Sequence, residues 1–374
     1  MIKMHLKKLV IIIPIFLLLN IARTEAIIEP KLNKTVNDKP LILYDDAITV
    51  TGLELLSKLG AQPRYILIYQ DNCDPDAKKT GVINYNKIAQ FIIKNYGAEP
   101  EGWGVLDFED PFDGWIFKGP SSPECQKAVL TMVSTLREIK KMFPKVKWTY
   151  YGVPNLLYYI EGFNWNTAPE SLKNKEIQQR LLSYGPIMDE CEWLSPCIYT
   201  NIGDGKGGIY PLPAQRIATR KWCEEHVKMC SDYNKSKSKK IPIIPFASPI
   251  YMEGGGAKTG SVIPTIVMTE DALVPAFKGG ADGITIWTAG SYQIKSVLNA
   301  AKNLNLKPDD KNNKDSRAIL KHWLEDLNIS IEFITSPEGE IRLQTMLADA
   351  VVRMAAETIK VWNSKNINTV DQAP

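Results

Sequence analysis

Histidine is scarce in this chain: His5, His226 and His322 are its three copies in 374 residues. No Cys-x2-Cys pair accompanies them, so a zinc site is not expected and the chemistry must be sought without a metal. A Gly-x-Gly-x-x-Gly turn after an early strand is also missing, which argues against a dinucleotide-binding domain. The glycine runs at 203–208 and 254–256 follow strand-like segments but lack phosphate-loop spacing, and read as loops. No organic cofactor is implied. Net charge is nearly absent as well. The first 26 residues carry Lys3, Lys7, Lys8 and Arg23 against Glu25, which accounts for the whole of the chain's +3. A near-neutral remainder gives no reason to expect a nucleic-acid partner or an anionic membrane partner.

What is present begins with an export signal. MIKMHLKK is basic, LVIIIPIFLLL is a short apolar core, and NIARTEA ends in small residues. The core is too short to span a bilayer comfortably, so residues 1–26 read as a signal peptide and the mature chain as secreted, with no membrane attachment. An exported chain with six cysteines (Cys73, Cys125, Cys191, Cys197, Cys223 and Cys230) is expected to form disulfides, in any of fifteen connectivities.

Beyond the signal, β-branched and aromatic runs alternate with helical patterns. LILY (41–44), YILIY (65–69), WGVLDF (103–108), KWTYY (147–151), SPCIYT (195–200), PIIPFA (242–247) and GITIW (283–287) are the expected strands. Amphipathic stretches lie near 84–95, 124–142, 213–231, 269–278 and 291–302. Strand alternating with helix predicts parallel strands joined by crossovers. About seven units predict an α/β fold of the distorted (β/α) TIM-like barrel type over 27–305. A C-terminal appendage, 306–374, contains a polar break at 309–316, followed by helices at 317–327 and 340–363.

Asp107 and Glu109 end the third of these strands. Side chains two apart on a strand share a face, and the strand C-termini of a barrel open onto its active-site mouth. Two carboxylates held side by side compete for ionisation, so one pKa should rise, as a general acid needs near neutral pH. Other strand ends bring Tyr69 with Asp71, Tyr150 with Tyr151, Tyr199 and Trp287 toward the same rim. A carboxylate nucleophile must face its acid partner across the sugar at about 5–5.5 Å. Neighbours on one strand lie on the same side of the bond. That favours substrate-assisted cleavage, in which a 2-acetamido oxygen attacks its own anomeric carbon. Glu109 would protonate the leaving oxygen and Asp107 would orient the acetamido N–H.

GWGVLDFED (102–110), WTYYGVP (148–154), EWLSPCIYT (192–200) and GADGITIWTAGS (280–291), in that order, resemble the motifs of the hyaluronidases, glycoside hydrolase family 56. The resemblance covers roughly residues 41–300. It implies a seven-stranded distorted barrel that cuts hyaluronan, chondroitin or a related polysaccharide with retention. In those terms Asp107 positions the acetamido group and Glu109 is the acid/base. Tyr151 and Tyr199 line the acetamido pocket, Trp287 forms its wall, and Asp71 corresponds to a subsite acid. The chain departs from the family in placing Asp110, Pro111 and Phe112 where a Trp and an Arg usually follow the acids. Two other readings stand beside this one. A muramidase-type barrel hydrolase would share the acid pair but leave the tyrosine and tryptophan motifs unexplained, and a carbohydrate-binding barrel would keep the pocket without turnover.

Overall fold

The computed structural model describes residues 39–44, 49–63, 66–200, 211–237, 241–251, 261–288 and 330–370, with single positions at 294, 298, 324 and 328. All of these except Lys39 belong to one compact unit, Pro40–Pro374. The expected signal peptide, the glycine runs, the polar break and the helix at 317–327 lie outside the described residues, apart from Leu324.

The fold is mixed α/β with parallel sheets. Strand β1 (Leu41–Tyr44) pairs with β2 (Gln62–Pro63), and on its other edge with β9 (Gly283–Ile286), which carries β8 (Phe246–Ala247). A second sheet runs in the order β3 (Ile66–Tyr69), β4 (Gly102–Asp107), β5 (Val146–Tyr150), again parallel. A small antiparallel hairpin, β6 (Tyr159–Ile160) with β7 (Phe163–Asn164), lies in the segment after β5.

Alternation along these strands buries both faces. Ile42, Ile68, Leu106, Trp148, Tyr150 and Ile284 join the core beneath the helices. Leu41, Leu43, Leu67, Trp103, Val105, Ile244 and Phe246 form a second cluster on the opposite face, together with Trp193, Tyr151, Tyr199 and Trp287. Burial on both sides is why these strands read as nearly continuous apolar runs. Where β4 and β5 pack, glycine is required: a Cβ on Gly104 would stand 2.4 Å from the Trp148 ring.

Among the described residues the regular sheets do not close into a barrel. The segment 192–198 nevertheless lies between β5 and β8. Glu192 donates its N–H to the Trp148 carbonyl and Ser195 to that of Val153, while Leu194 and Cys197 bridge in parallel to Ile243 and Phe246. The strands expected at 195–200 and 242–247 thus shrink to isolated bridges and two residues of β8. The reason is chemical: Pro196, Pro242 and Pro245 have no N–H to give a ladder, although their carbonyls still accept from Phe246, Leu194 and Thr285.

The helices at Tyr85–Tyr96, Pro123–Met142 and Pro213–Ser236 match the amphipathic stretches. Residues 265–279 form one helical run with a π turn at Thr269–Leu273. Glu170–Glu190 is an additional 21-residue helix, and Pro337–Val370 extends the expected C-terminal one at both ends. No described helix is long and apolar enough to cross a membrane.

The expected disulfides are not formed; all six cysteines are free. Cys223 and Cys230 sit seven residues apart on one helix, about 10 Å by its rise, too far to bridge. Cys191 packs in the helix-side core, whereas Cys197 contacts Tyr151 on the opposite face. Cys223 and Cys230 direct their thiols at backbone carbonyls instead.

Candidate active site

Strand β4 presents Trp103, Val105 and Asp107 to the inner cluster by simple alternation. Asp107 is in register with Tyr69 at the end of β3, and the backbone N–H of Tyr151 donates to the Leu106 carbonyl at 3.0 Å. Trp287, one residue past β9, is tied to the Ala247 carbonyl at 3.0 Å, and its indole N–H donates to the Tyr69 hydroxyl at 2.9 Å. These ends surround a cavity of about 230 Å³ lined by Leu67, Tyr69, Asp107, Glu109, Tyr151, Phe246 and Trp287.

Five of the eight residues singled out from sequence therefore line one cavity: Tyr69, Asp107, Glu109, Tyr151 and Trp287. Tyr199 stands behind the lining. Its ring stacks on Trp287 with centroids 5.7 Å apart and tilts against Tyr151 at 6.4 Å. The Tyr199 hydroxyl is buried with no hydrogen-bond partner among the described residues. Asp71 does not reach the lining. It lies on the short helix Gln70–Cys73, exposed and paired with Lys78 at 2.8 Å. Tyr150 also points away from the cavity, and its hydroxyl donates to the Met132 carbonyl in the helix layer. Leu67 and Phe246 enter the lining with no sequence signal beyond strand alternation.

Burial dominates the electrostatics. It pushes the Asp107 carboxyl well above the usual range, and the negative charges of Glu109, Asp113 and Asp71 add to the effect. Glu109 is also raised, by burial and by Asp110, while Lys78 opposes the shift. Of the two acids, Glu109 is the more open to solvent and the less displaced. The Tyr151 and Tyr199 hydroxyls are held well above 10.0 by burial and stay protonated as donors.

Asp113 is a third acid beside the pair that the sequence reading did not single out. It begins where a helical turn closes on Glu109, its N–H donating to the Glu109 carbonyl at 2.8 Å. Burial, then Glu109 and Asp110, lift it to about 7, with Arg180 working the other way. Arg180 is buried and paired with Glu176 at 2.6 Å. His226, in contrast, is a core residue 2.9 Å from the Pro154 carbonyl, and burial lowers it to about 4. Among the described residues, no group of three His, Cys, Asp or Glu side chains is arranged to hold a metal ion.

The structure is similar to bee venom hyaluronidase in complex with a hyaluronic acid tetramer: TM-score 0.48 and 16% identity over 76% of this chain and 100% of that one. A monoclinic form of bee venom hyaluronidase gives TM-score 0.46 and 15% identity, covering 77% of this chain and 98% of that one. The YdjI aldolase of Escherichia coli K12 gives 0.26 and 10%, covering 78% and 91%. No family model and no curated relative matches the chain. Likeness at this level assigns neither family nor activity, so the chemistry must come from the cavity's own groups.

Proposed function

We propose that this chain is an endo-acting glycoside hydrolase that cleaves an N-acetylhexosamine-containing polysaccharide with retention, by substrate assistance. One observation carries the reading: two carboxyls of raised pKa share a single cavity with the Tyr151 hydroxyl and the Trp287 indole. An aromatic wall gives a sugar ring a flat surface to lie on. A carboxyl of raised pKa holds its proton further toward neutral pH, as a general acid requires.

In this mechanism Glu109, at the open side, donates its proton to the leaving glycosidic oxygen. The acetamido carbonyl oxygen of the same sugar closes on C1, breaking the C1–O bond and forming an oxazolinium-like ring. Asp107, deeper in the cavity, accepts the acetamido N–H and balances the positive charge that develops there. Tyr151 encloses the acetamido group with Trp287 as its wall, Tyr199 backs both rings from behind, and Asp71 acts from the rim outside the lining. Glu109, now ionised, takes a proton from water as that water opens the ring from the face the leaving group vacated.

The two parallel sheets are read in the same proposal as halves of a distorted seven-stranded barrel. Strands β2 and β3 would join β1 to β4, and segments 193–198 and 243–247 would join β5 to β9. The bridges from Leu194 and Cys197 support that closure. The mature chain would act outside the cell, with residues 1–26 as its export signal.

Reducing-end release from glycosaminoglycans, chitin and peptidoglycan tests the activity. Glu109→Gln should lose turnover by at least about a hundredfold while remaining folded. Full activity in that variant would end the proposal, and preferential cleavage of peptidoglycan would move it to the muramidase class.

A further inference from the structure

The neighbourhood of the two acids is strongly one-signed. Gln70 donates its side-chain amide to the Asp110 carbonyl, which knits the short helix after β3 to the turn after β4. That contact sets Asp71 beside the run Glu109–Asp113. Five carboxyl groups, those of Asp71, Asp107, Glu109, Asp110 and Asp113, act on one another here, and because burial raises Asp107, Glu109 and Asp113 the negative field they set up strengthens as pH rises. Among the described residues the cavity is lined by two of these acids, Asp107 and Glu109, and otherwise by aromatic or aliphatic side chains, without a Lys or Arg.

Two cations are within reach among the described residues. Arg180 is buried against Glu176 and cannot turn outward; its side chain is 4% exposed. Lys78 is open to solvent but paired with Asp71 at 2.8 Å. A ligand carboxylate that displaced Asp71 from Lys78 would gain one ammonium and free one carboxylate, leaving the surplus of negative charge unchanged.

We infer that this mouth selects a polymer uncharged next to the cleaved N-acetylhexosamine, and rejects one with a uronate at that position. The selection is a matter of field as much as contact. Low-dielectric aromatic walls focus the potential of the surrounding acids into the cleft, and like charges brought together across an interface discriminate against the wrong partner. The cleavage part of this inference rests on the hydrolase reading; the binding part does not.

The test uses two ligands that differ in charge alone: a hyaluronan hexasaccharide, and the same oligosaccharide with its carboxylates reduced to primary alcohols. Cleavage is followed with the unmodified chain. Binding is followed by calorimetry with Glu109→Gln, at low and at raised salt. The uncharged ligand should bind and be cut at least about tenfold better at low salt, and the ratio should shrink as salt screens the field. Asp110→Asn, outside the catalytic groups, should tighten binding of the charged ligand by about threefold and leave the uncharged one unaltered. Equal or better binding of the charged ligand at low salt overturns the inference and leaves the hydrolase reading standing. Binding in the expected order with no cleavage of either ligand sustains the inference and removes the hydrolase reading. Failure to bind either ligand removes both.

Discussion

Replacing Asp113 with Asn removes an ionisable proton and almost nothing else, which makes its consequence calculable. The carboxyl ordinarily titrates at 3.8 and is lifted to about 7 in the folded chain. Below about pH 4 it is protonated in both folded and unfolded chains and contributes nothing to the difference. Between pH 4 and 7 the unfolded chain sheds this proton while the folded chain keeps it, so folding loses stability as pH rises. Above 7 both forms are ionised and the full penalty stands. A displacement of that size corresponds to about 4 kcal/mol at about 1.4 kcal/mol per tenfold in acidity. Because the side chain keeps a partial path to solvent, about 2 kcal/mol is expected. For a chain of this size that is a melting difference of roughly 3 °C. The assay is thermal unfolding of the unmodified chain and Asp113→Asn from pH 3.5 to 8. The two curves should meet at the acid end, with the Asn variant pulling ahead between pH 4 and 7 and holding its lead above. A gap independent of pH would refute the placement of an ionisable Asp113 against Glu109. Since the charge of Asp113 also raises Asp107, the variant should let Asp107 ionise at lower pH, moving the acid limb of any pH–rate profile in that direction.

Glu109→Gln should keep its fold and gain slightly in thermal stability at neutral pH, because the charge removed is one that burial disfavours; melting curves beside the turnover assay check both. Trp287→Ala loses the stack on Tyr199 and the bond to Tyr69, about 2 kcal/mol of folding stability together, and it removes the wall the sugar lies on, so substrate KM should rise by about tenfold or more. Arg180→Met strands Glu176 in the interior and should cost about 3 kcal/mol in urea unfolding, with most of it recovered in a second variant that also carries Glu176→Leu.

How much of this was legible depended on whether burial left a trace in residue type. The strands near 41–44, 65–69, 103–108, 147–151 and 283–287 stood out because both faces are buried and β-branched or aromatic residues fill them. At 195–200 and 242–247 the same apolarity was present, but three prolines remove donors, so pairing survives only as bridges. The helix Glu170–Glu190 was invisible to apolar periodicity. Its buried face carries Lys173, Glu176 and Arg180, charged residues held in ion pairs and against aromatic rings, along with Ser183. Tyr150 and Tyr151 looked alike in sequence, yet strand alternation sends one to the helices and one to the cavity. Asp113 could have been found from its spacing: four residues after Glu109 is one helical turn, which stacks two carboxylates once the chain coils after β4. Asp71 stands outside the lining because β3 ends at Tyr69 and the chain turns into a helix at Gln70.

The six unbridged thiols have a consequence for handling the molecule. With no covalent crosslink, nothing shortens the loops of the denatured ensemble, and noncovalent packing must offset its whole entropy. Dithiothreitol should therefore leave the melting curve in place, and the chain should regain its structure from urea without a glutathione couple or an isomerase.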